Sequence, residues 1–388
     1  MKICILTPRF PFPENGGDTL RINNISRYLK RNGHTIVLVT FYDKSNDEKN
    51  KVFAENIYDK VYYVKRYSFF SIVYSLSALI LNKPMQIGYY FSIFFLSIFK
   101  KVIKLEKPDL YISHLLRMVT YLNICNLKNK SIVEMTDMLS RMYKLAGQSS
   151  GILFKKWIYV IEEKRISKYE IRIINEYKKC ILVSETDKKF LGNYMSLYIY
   201  PNGVNCLEKF ASNYNKNKII FIGNMRTLQN QDAVQHFVYD ILPLVKQKIP
   251  QVVFYIIGAE PPAFIKKMAD DKNIVVSGFV NSVEDEIKDA AIAVAPIRIA
   301  AGIQNKVLIS MACGIPVVLT SLISVGIPGL ISNENCIIAD GKVNFANAVI
   351  SLMKRNEMRN SIGKRGYNMV RTKFSWNKTL KGYEEGLL

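Results

Sequence analysis

The six cysteines, Cys4, Cys125, Cys180, Cys206, Cys313 and Cys336, are far apart and form no CxxC pair. That spacing argues against a zinc knuckle or a disulfide framework. It suits small buried hydrophobes in a reducing compartment. Long hydrophobic runs are also lacking. The most apolar stretch, Ser68 to Phe99, is interrupted by Asn82, Lys83 and Pro84, so each half falls short of the roughly 20 residues a bilayer span takes. At the N-terminus only Ile3 to Leu6 are apolar before Pro8 and Arg9, which suits a first strand rather than a signal peptide. There is no low-complexity segment and no repeat at solenoid or propeller spacing. No helix-turn-helix, zinc-finger or RNA-recognition signature is visible, so a nucleic-acid partner is not expected.

What remains is a globular composition, 49% hydrophobic and 22% charged, over 388 residues, enough for two domains with separate cores. The net charge is +22 and uneven. Residues 1–200 hold 32 Lys and Arg against 17 acidic residues, and 201–388 hold 22 against 15. A basic first half attracts anionic partners. Around residues 66–107 the basic residues are interleaved with Phe, Tyr, Ile and Leu, which fits an anionic membrane surface better than a duplex groove.

Strand-like and helix-like patterns alternate twice. Ile3–Leu6, Thr35–Phe41, Val61–Val64, Asp109–Ser113, Ser131–Met135 and Cys180–Ser184 are short apolar runs, with a helical period over Thr19–Arg31 that Gly33 stops. After the turn signal Pro201-Asn202-Gly203 the pattern restarts. Strands are expected at Lys218–Gly223, Val252–Gly258, Ile274–Ser277, Ile292–Ala295 and Pro316–Leu319. Helices are expected at Asp232–Lys248, Asn305–Ala312 and 343–373. Alternation of this kind predicts two parallel α/β domains, with ligands beyond the carboxyl ends of the strands and the cleft between the domains as the default site. The expected division is 1–203, 204–373 and a closing helix, 374–388, that crosses back to the first domain.

Three places carry candidate chemistry. Gly16 and Gly17 precede a helix, where bare amides and the helix dipole favour a phosphate; a plain turn with Asp18 as N-cap is the alternative. His114 follows directly after a strand, where α/β enzymes place polar groups; a structural histidine is the alternative. In Ala295–Thr320 a strand ends at Pro296, Arg298 follows, and Lys306 lies in the first turn of a helix. A lysine there opposes the helix dipole, which a bound diphosphate would explain.

That last segment resembles the donor-site segment of glycosyltransferase family 4, and more narrowly the sugar transferases of exopolysaccharide systems. The resemblance extends over nearly the whole chain. It includes TPRFPFPENGGDTLRINNISRYL, TDMLSRMY around Asp137, CILVSETD near Ser184, YPNGVN, FIGNMRTLQNQDAV from Phe221, VVFYIIGAEPP and FSWNKTL from Phe374. It implies a GT-B architecture, two Rossmann-like domains facing across a cleft, and retaining transfer from a nucleotide-sugar donor to a glycan or lipid-linked acceptor. No metal or other cofactor is implied, because positive side chains and helix dipoles stabilise the leaving diphosphate. The resemblance assigns Gly16 and Gly17 to the donor phosphates, His114 to the transferred sugar, and Arg298 and Lys306 to the diphosphate. Backbone contacts fall to Gly302, Ile303, Gln304 and Asn305. Gly223, Asn224, Arg226, Ile309 and Ser310 complete the donor side, and Asp18, Arg21 and Asp137 lie on the acceptor side.

The chain departs from the family at Ile309, where a Glu usually contacts the ribose hydroxyls, and at Asn224 and Asn230, where Arg and Lys are common. A lost carboxylate contact is worth on the order of 1.5–3 kcal/mol; Ser310 or Glu334 are the candidate substitutes. The expected role is therefore cell-surface polysaccharide synthesis in the cytoplasm, at the inner face of the membrane. The alternatives are a non-catalytic GT-B partner protein, favoured by Ile309, a nucleotide-sugar 2-epimerase, disfavoured by only three histidines, and a basic nucleic-acid binder.

Overall fold

The computed structural model describes residues 1–388 except 15, 44–46, 150–152, 207–213, 281, 300–303 and 386–388. It divides into two compact units. The first is Met1–Pro201 with Leu380–Leu388, and the second is Asn202–Thr379. Within the second unit the beginning and the end of its segment are stitched together, with Val204 donating its amide to the Phe374 carbonyl over 2.8 Å.

The first unit is a seven-stranded sheet of β1 (Lys2–Thr7), β2 (Thr35–Tyr42), β3 (Lys60–Lys65), β4 (Leu110–His114), β5 (Ser131–Thr136), β6 (Cys180–Leu182) and β7 (Leu197–Ile199). The order is β3-β2-β1-β4-β5-β6-β7, and each described pairing is parallel. The central strands are buried along nearly their whole length, which is why they read as unbroken apolar runs rather than alternating ones. The second unit has β8 (Asn215–Ile222), β9 (Val253–Ile257), β10 (Ile274–Gly278), β11 (Ala290–Ala295), β12 (Val317–Leu319) and β13 (Ile337–Ile338). They are ordered β10-β9-β8-β11-β12-β13 and parallel.

In each sheet the strand order reverses beside its first strand, between β1 and β4 and between β8 and β11. Ligands of doubly wound sheets bind at the carboxyl ends of such strands. Three details differ from the sequence expectation. The short strands β7 and β13 are additional. The helical stretch at 343–373 is two helices, Lys342–Lys354 and Asn356–Lys373, broken where Arg355 adopts an extended backbone. The helix expected from Asp232 begins at Leu228 and widens to a π turn over Phe237–Ile241, beside Pro243, which has no amide to donate to the ladder.

Candidate active site

In the second unit the chain leaves β8 and its neighbour β11 at the same edge of the sheet. Gly223 and Asn224 follow β8. Backbones approach so closely here that a Cβ on Gly223 would stand 2.6 Å from the Asn230 side-chain nitrogen, and one on Gly258 only 1.8 Å from the Gly223 carbonyl oxygen. Gly258 also has φ +147, a backbone that side chains rarely tolerate. The bare glycine lets Asn230, on the helix Leu228–His236, fold back against the strand end. Its amide donates to the Asn224 carbonyl over 2.8 Å, and its oxygen accepts from the Lys306 ammonium.

Lys306 lies in the first turn of the helix Asn305–Ala312. Its Nζ also sits 4.9 Å over the Phe221 ring. Among the described residues no carboxylate pairs with it, and burial lowers its pKa to about 7. A lysine whose charged form is disfavoured by burial is suited to receive an anion, because a phosphate beside it favours the charged form. Gln304 is buried as the N-cap residue with no side-chain cap bond, and Asn305 follows it.

Arg298 comes after β11 and is exposed. Its guanidinium forks onto Asp232, with Nε to Oδ2 at 3.1 Å and Nη2 to Oδ1 at 2.5 Å. Arg226 is exposed and pairs with Glu260 at 3.1 Å. Ile309 is half-buried and packs on the core. Ser310 is buried, and its hydroxyl donates to the Lys306 carbonyl over 2.9 Å, which leaves only its acceptor lone pairs for a ribose hydroxyl. Glu334 is exposed. Gly302 and Ile303 lie outside the described residues.

In the first unit His114 ends β4, next to β1. It is 2% exposed, and neither ring nitrogen has a hydrogen-bond partner among the described residues. Burial drives its pKa down to about 3; the nearby Arg21 and Arg9 push the same way, against the Asp18 carboxylate. It is therefore a neutral imidazole at physiological pH. Gly16 is the N-cap of the helix Gly17–Arg31 with an extended backbone, which replaces the Asp18 cap considered from sequence. Thr19 both accepts from the Gly16 amide (3.2 Å) and donates to its carbonyl (2.9 Å). Asp18 lies inside the first turn and binds Arg9, Nε to Oδ2 at 3.0 Å; although burial opposes it, this pair holds the carboxyl below its usual range. A Cβ on Gly16 would meet Arg9 at 2.8 Å and Asp18 at 2.9 Å, whereas one on Gly17 meets nothing.

Arg21, expected to face an acceptor, is wholly buried. It holds Glu134 through Nε to Oε1 at 2.9 Å and Nη2 to Oε2 at 3.2 Å, and so acts from beneath the strand ends. Burial raises the Glu134 pKa even so. Asp137 is exposed at the end of β5, and its pKa is raised by the surrounding protein and by Asp187. The strand ends beside it are strained: Leu115 (φ +68) and Thr136 (φ +66) both adopt left-handed backbone, costly for branched side chains and common at functional edges. Sequence reasoning missed Asn230 as a partner of Lys306, and Asp232, Gly258 and Glu134 altogether. Only Gly258, ending VVFYIIG, carried a readable signal.

Residues 216–355 match the model of the family described as Glycosyl transferases group 1. The whole chain shares its fold with Anabaena Alr3699/HepE in complex with UDP, 14% identical with a TM-score of 0.66, covering 100% of this chain and 99% of that one. It also matches a mutant of S. aureus TarM in complex with Fondaparinux, alpha-GlcNAc-glycerol and UDP, 13% identical with a TM-score of 0.69 and the same coverage. Two parallel sheets of this order are the GT-B fold of glycosyltransferases. A relative from Klebsiella pneumoniae, described as an uncharacterized 44.6 kDa protein in cps region, is 24% identical over 388 residues and covers 97% of both chains.

Proposed function

We propose that the protein is a retaining glycosyltransferase that moves a sugar from a nucleotide-sugar donor to a glycan or lipid-linked acceptor in cell-surface polysaccharide synthesis. The observation that carries this reading is Lys306: a half-buried lysine beside a strand switch point, held by an amide oxygen and an aromatic face and, among the described residues, by no carboxylate. Bond cleavage in a nucleotide sugar leaves negative charge on the departing diphosphate. Lys306, Arg298 and the amides opening the helix Asn305–Ala312 supply positive potential for it. HepE and TarM were solved with UDP, which makes uridine the first base to test, and the cps-region relative supports a capsule-type product.

Work at an anionic membrane surface on the cytoplasmic side belongs to the same reading. Its support is the basic first half and the exposed Phe69, Ile72, Leu76 and Ile80 on the helix Ser68–Ile80. Among the described residues no helix is long and apolar enough to cross a membrane.

The test is transfer of radiolabelled sugar from a set of UDP-sugars to a bacterial lipid extract. Label in the lipid or glycan fraction, lost in Lys306→Ala, supports the proposal. Nucleotide binding without any turnover favours the second reading, a binding protein of the same fold. Ile309 packed on the core, with no carboxylate at that position, is what favours that reading.

A further inference from the structure

The first unit contains a cavity of about 430 Å³ bounded by Tyr74, Leu81, Ile87, Phe91, Ile124 and Tyr169. This is far larger than a packing defect and falls within the range of small-ligand pockets. Its polar wall residues are turned to partners inside the protein. Ser77 Oγ donates to the Tyr74 carbonyl (2.9 Å), Tyr177 donates to Asn123 Oδ1 (2.7 Å), and Thr120 meets the Tyr169 hydroxyl (3.4 Å). What faces the cavity is hydrocarbon and aromatic edge. Two cations, Lys83 and Arg172, also line it, and both are exposed to solvent. Arg172 is matched by Glu176 at 2.7 Å, whereas Lys83 has no ion-pair partner among the described residues.

The wall that carries Tyr74, Ser77 and Ala78 is the helix Ser68–Ile80, which contains no charged residue. Its buried side is Ser71, Ser75 and Ala78, drawn close to the helix Met85–Tyr89 because Gly88 has no side chain: a Cβ there would stand 2.3 Å from the Tyr74 carbonyl oxygen. Its other side exposes Phe69 (71%), Leu76 (53%) and Ile80 (87%) to solvent. A surface helix without charge, apolar outside and beside an apolar hollow, is an exposed apolar patch of the kind that marks an interaction site, a lipid surface among them.

We infer that this cavity binds the single hydrocarbon chain of a lipid phosphate, with the headgroup phosphate at Lys83. Naming that lipid as the acceptor rests on the transferase reading; the binding itself does not. The charge at the mouth selects an anionic head, and the apolar walls select a chain over a peptide, whose backbone would find no partners there. A double-chain membrane phospholipid and a second copy of this chain are the competing occupants.

The experiment uses the full chain and a fluorescent C16 alkyl phosphate, with C16 alkyl trimethylammonium and phosphatidylglycerol vesicles as parallel arms. Alkyl phosphate should bind saturably, and Ile124→Trp, which fills the hollow from a half-exposed position, should abolish binding. Lys83→Glu should weaken it about fivefold or more, the factor one lysine contributes beside an anionic lipid. The cationic analogue should bind more weakly than the phosphate. Each variant is also titrated with UDP, whose effect on the melting temperature should be unchanged; loss of lipid binding alone and loss of nucleotide binding alone are thereby separated. Equal lipid binding by wild type and Ile124→Trp would overturn the inference. So would binding only to vesicles, or self-association that Ile124→Trp abolishes while alkyl phosphate has no effect.

Discussion

Lys306 and Asn230 meet head-on: the ammonium donates to the amide oxygen, and the same amide's nitrogen is fixed by the Asn224 carbonyl at 2.8 Å. The lysine is thereby aimed without being neutralised. Its pKa near 7 lies below the ordinary value of about 10.4. Between those values the unfolded chain binds more protons, so Lys306 costs stability at low pH and the cost is relieved as pH rises above 7. A bound diphosphate raises the pKa again. Nucleoside diphosphate binding at pH 8 should therefore take up a proton, seen by calorimetry in two buffers of different ionisation enthalpy. Affinity should fall as pH rises from 7 to 9. Lys306→Arg should remove the proton uptake, because a guanidinium stays charged throughout.

The two glycines behind that pair differ in how they fail. On Gly223 an added Cβ meets the movable Asn230 amide, whereas on Gly258 it meets the Gly223 backbone. Gly258→Ala should lower stability by about 2–4 kcal/mol in urea unfolding. Gly223→Ala should cost less stability yet weaken nucleotide binding by freeing Asn230 from Lys306.

Arg21 and Glu134 form a fully buried bidentate pair in the first unit. Removing one partner leaves a buried charge alone, so Arg21→Ala should cost about 3–5 kcal/mol. The double change Arg21→Met with Glu134→Leu should cost much less, and the comparison by denaturant unfolding measures the pair directly.

His114 is held neutral, with its pKa lowered to about 3 by burial against about 6.5 in the unfolded chain. Between these values the unfolded chain binds the extra proton, so stability falls as pH drops below 6.5. His114→Gln should flatten that acid-side loss. The imidazole carbon-bound proton resonance of His114 should not move between pH 5.5 and 8, while that of an exposed histidine does.

The parts of the fold carried by local pattern were legible from sequence. Ile3–Leu6, Ile292–Ala295 and, after an exposed Thr35, the rest of Thr35–Phe41 are buried on both sides, so each reads as a short continuous apolar run, and Asn305–Ala312 was bounded correctly. The short edge strands Leu197–Ile199 and Ile337–Ile338 were not, because two or three residues hold no period. Lys306 and His114 stood out because each is chemically costly where it sits. Asn230 did not: an asparagine acquires its role only when the close approach of Gly223 and Gly258 brings it to a lysine 76 positions away. The burial of Arg21 was illegible for the same reason, since its partner Glu134 is 113 residues distant.

The central claim is that the second unit binds a nucleotide diphosphate through Lys306. The direct measurement is the melting temperature of the intact chain with UDP, other nucleoside diphosphates and their sugars, repeated for Lys306→Ala. At a hundred times the dissociation constant a ligand adds about 2.7 kcal/mol, a readily measured upward shift. The account predicts such a shift with one base and its loss in Lys306→Ala. No shift with any nucleotide in a folded sample, or the same shift in both proteins, would contradict it.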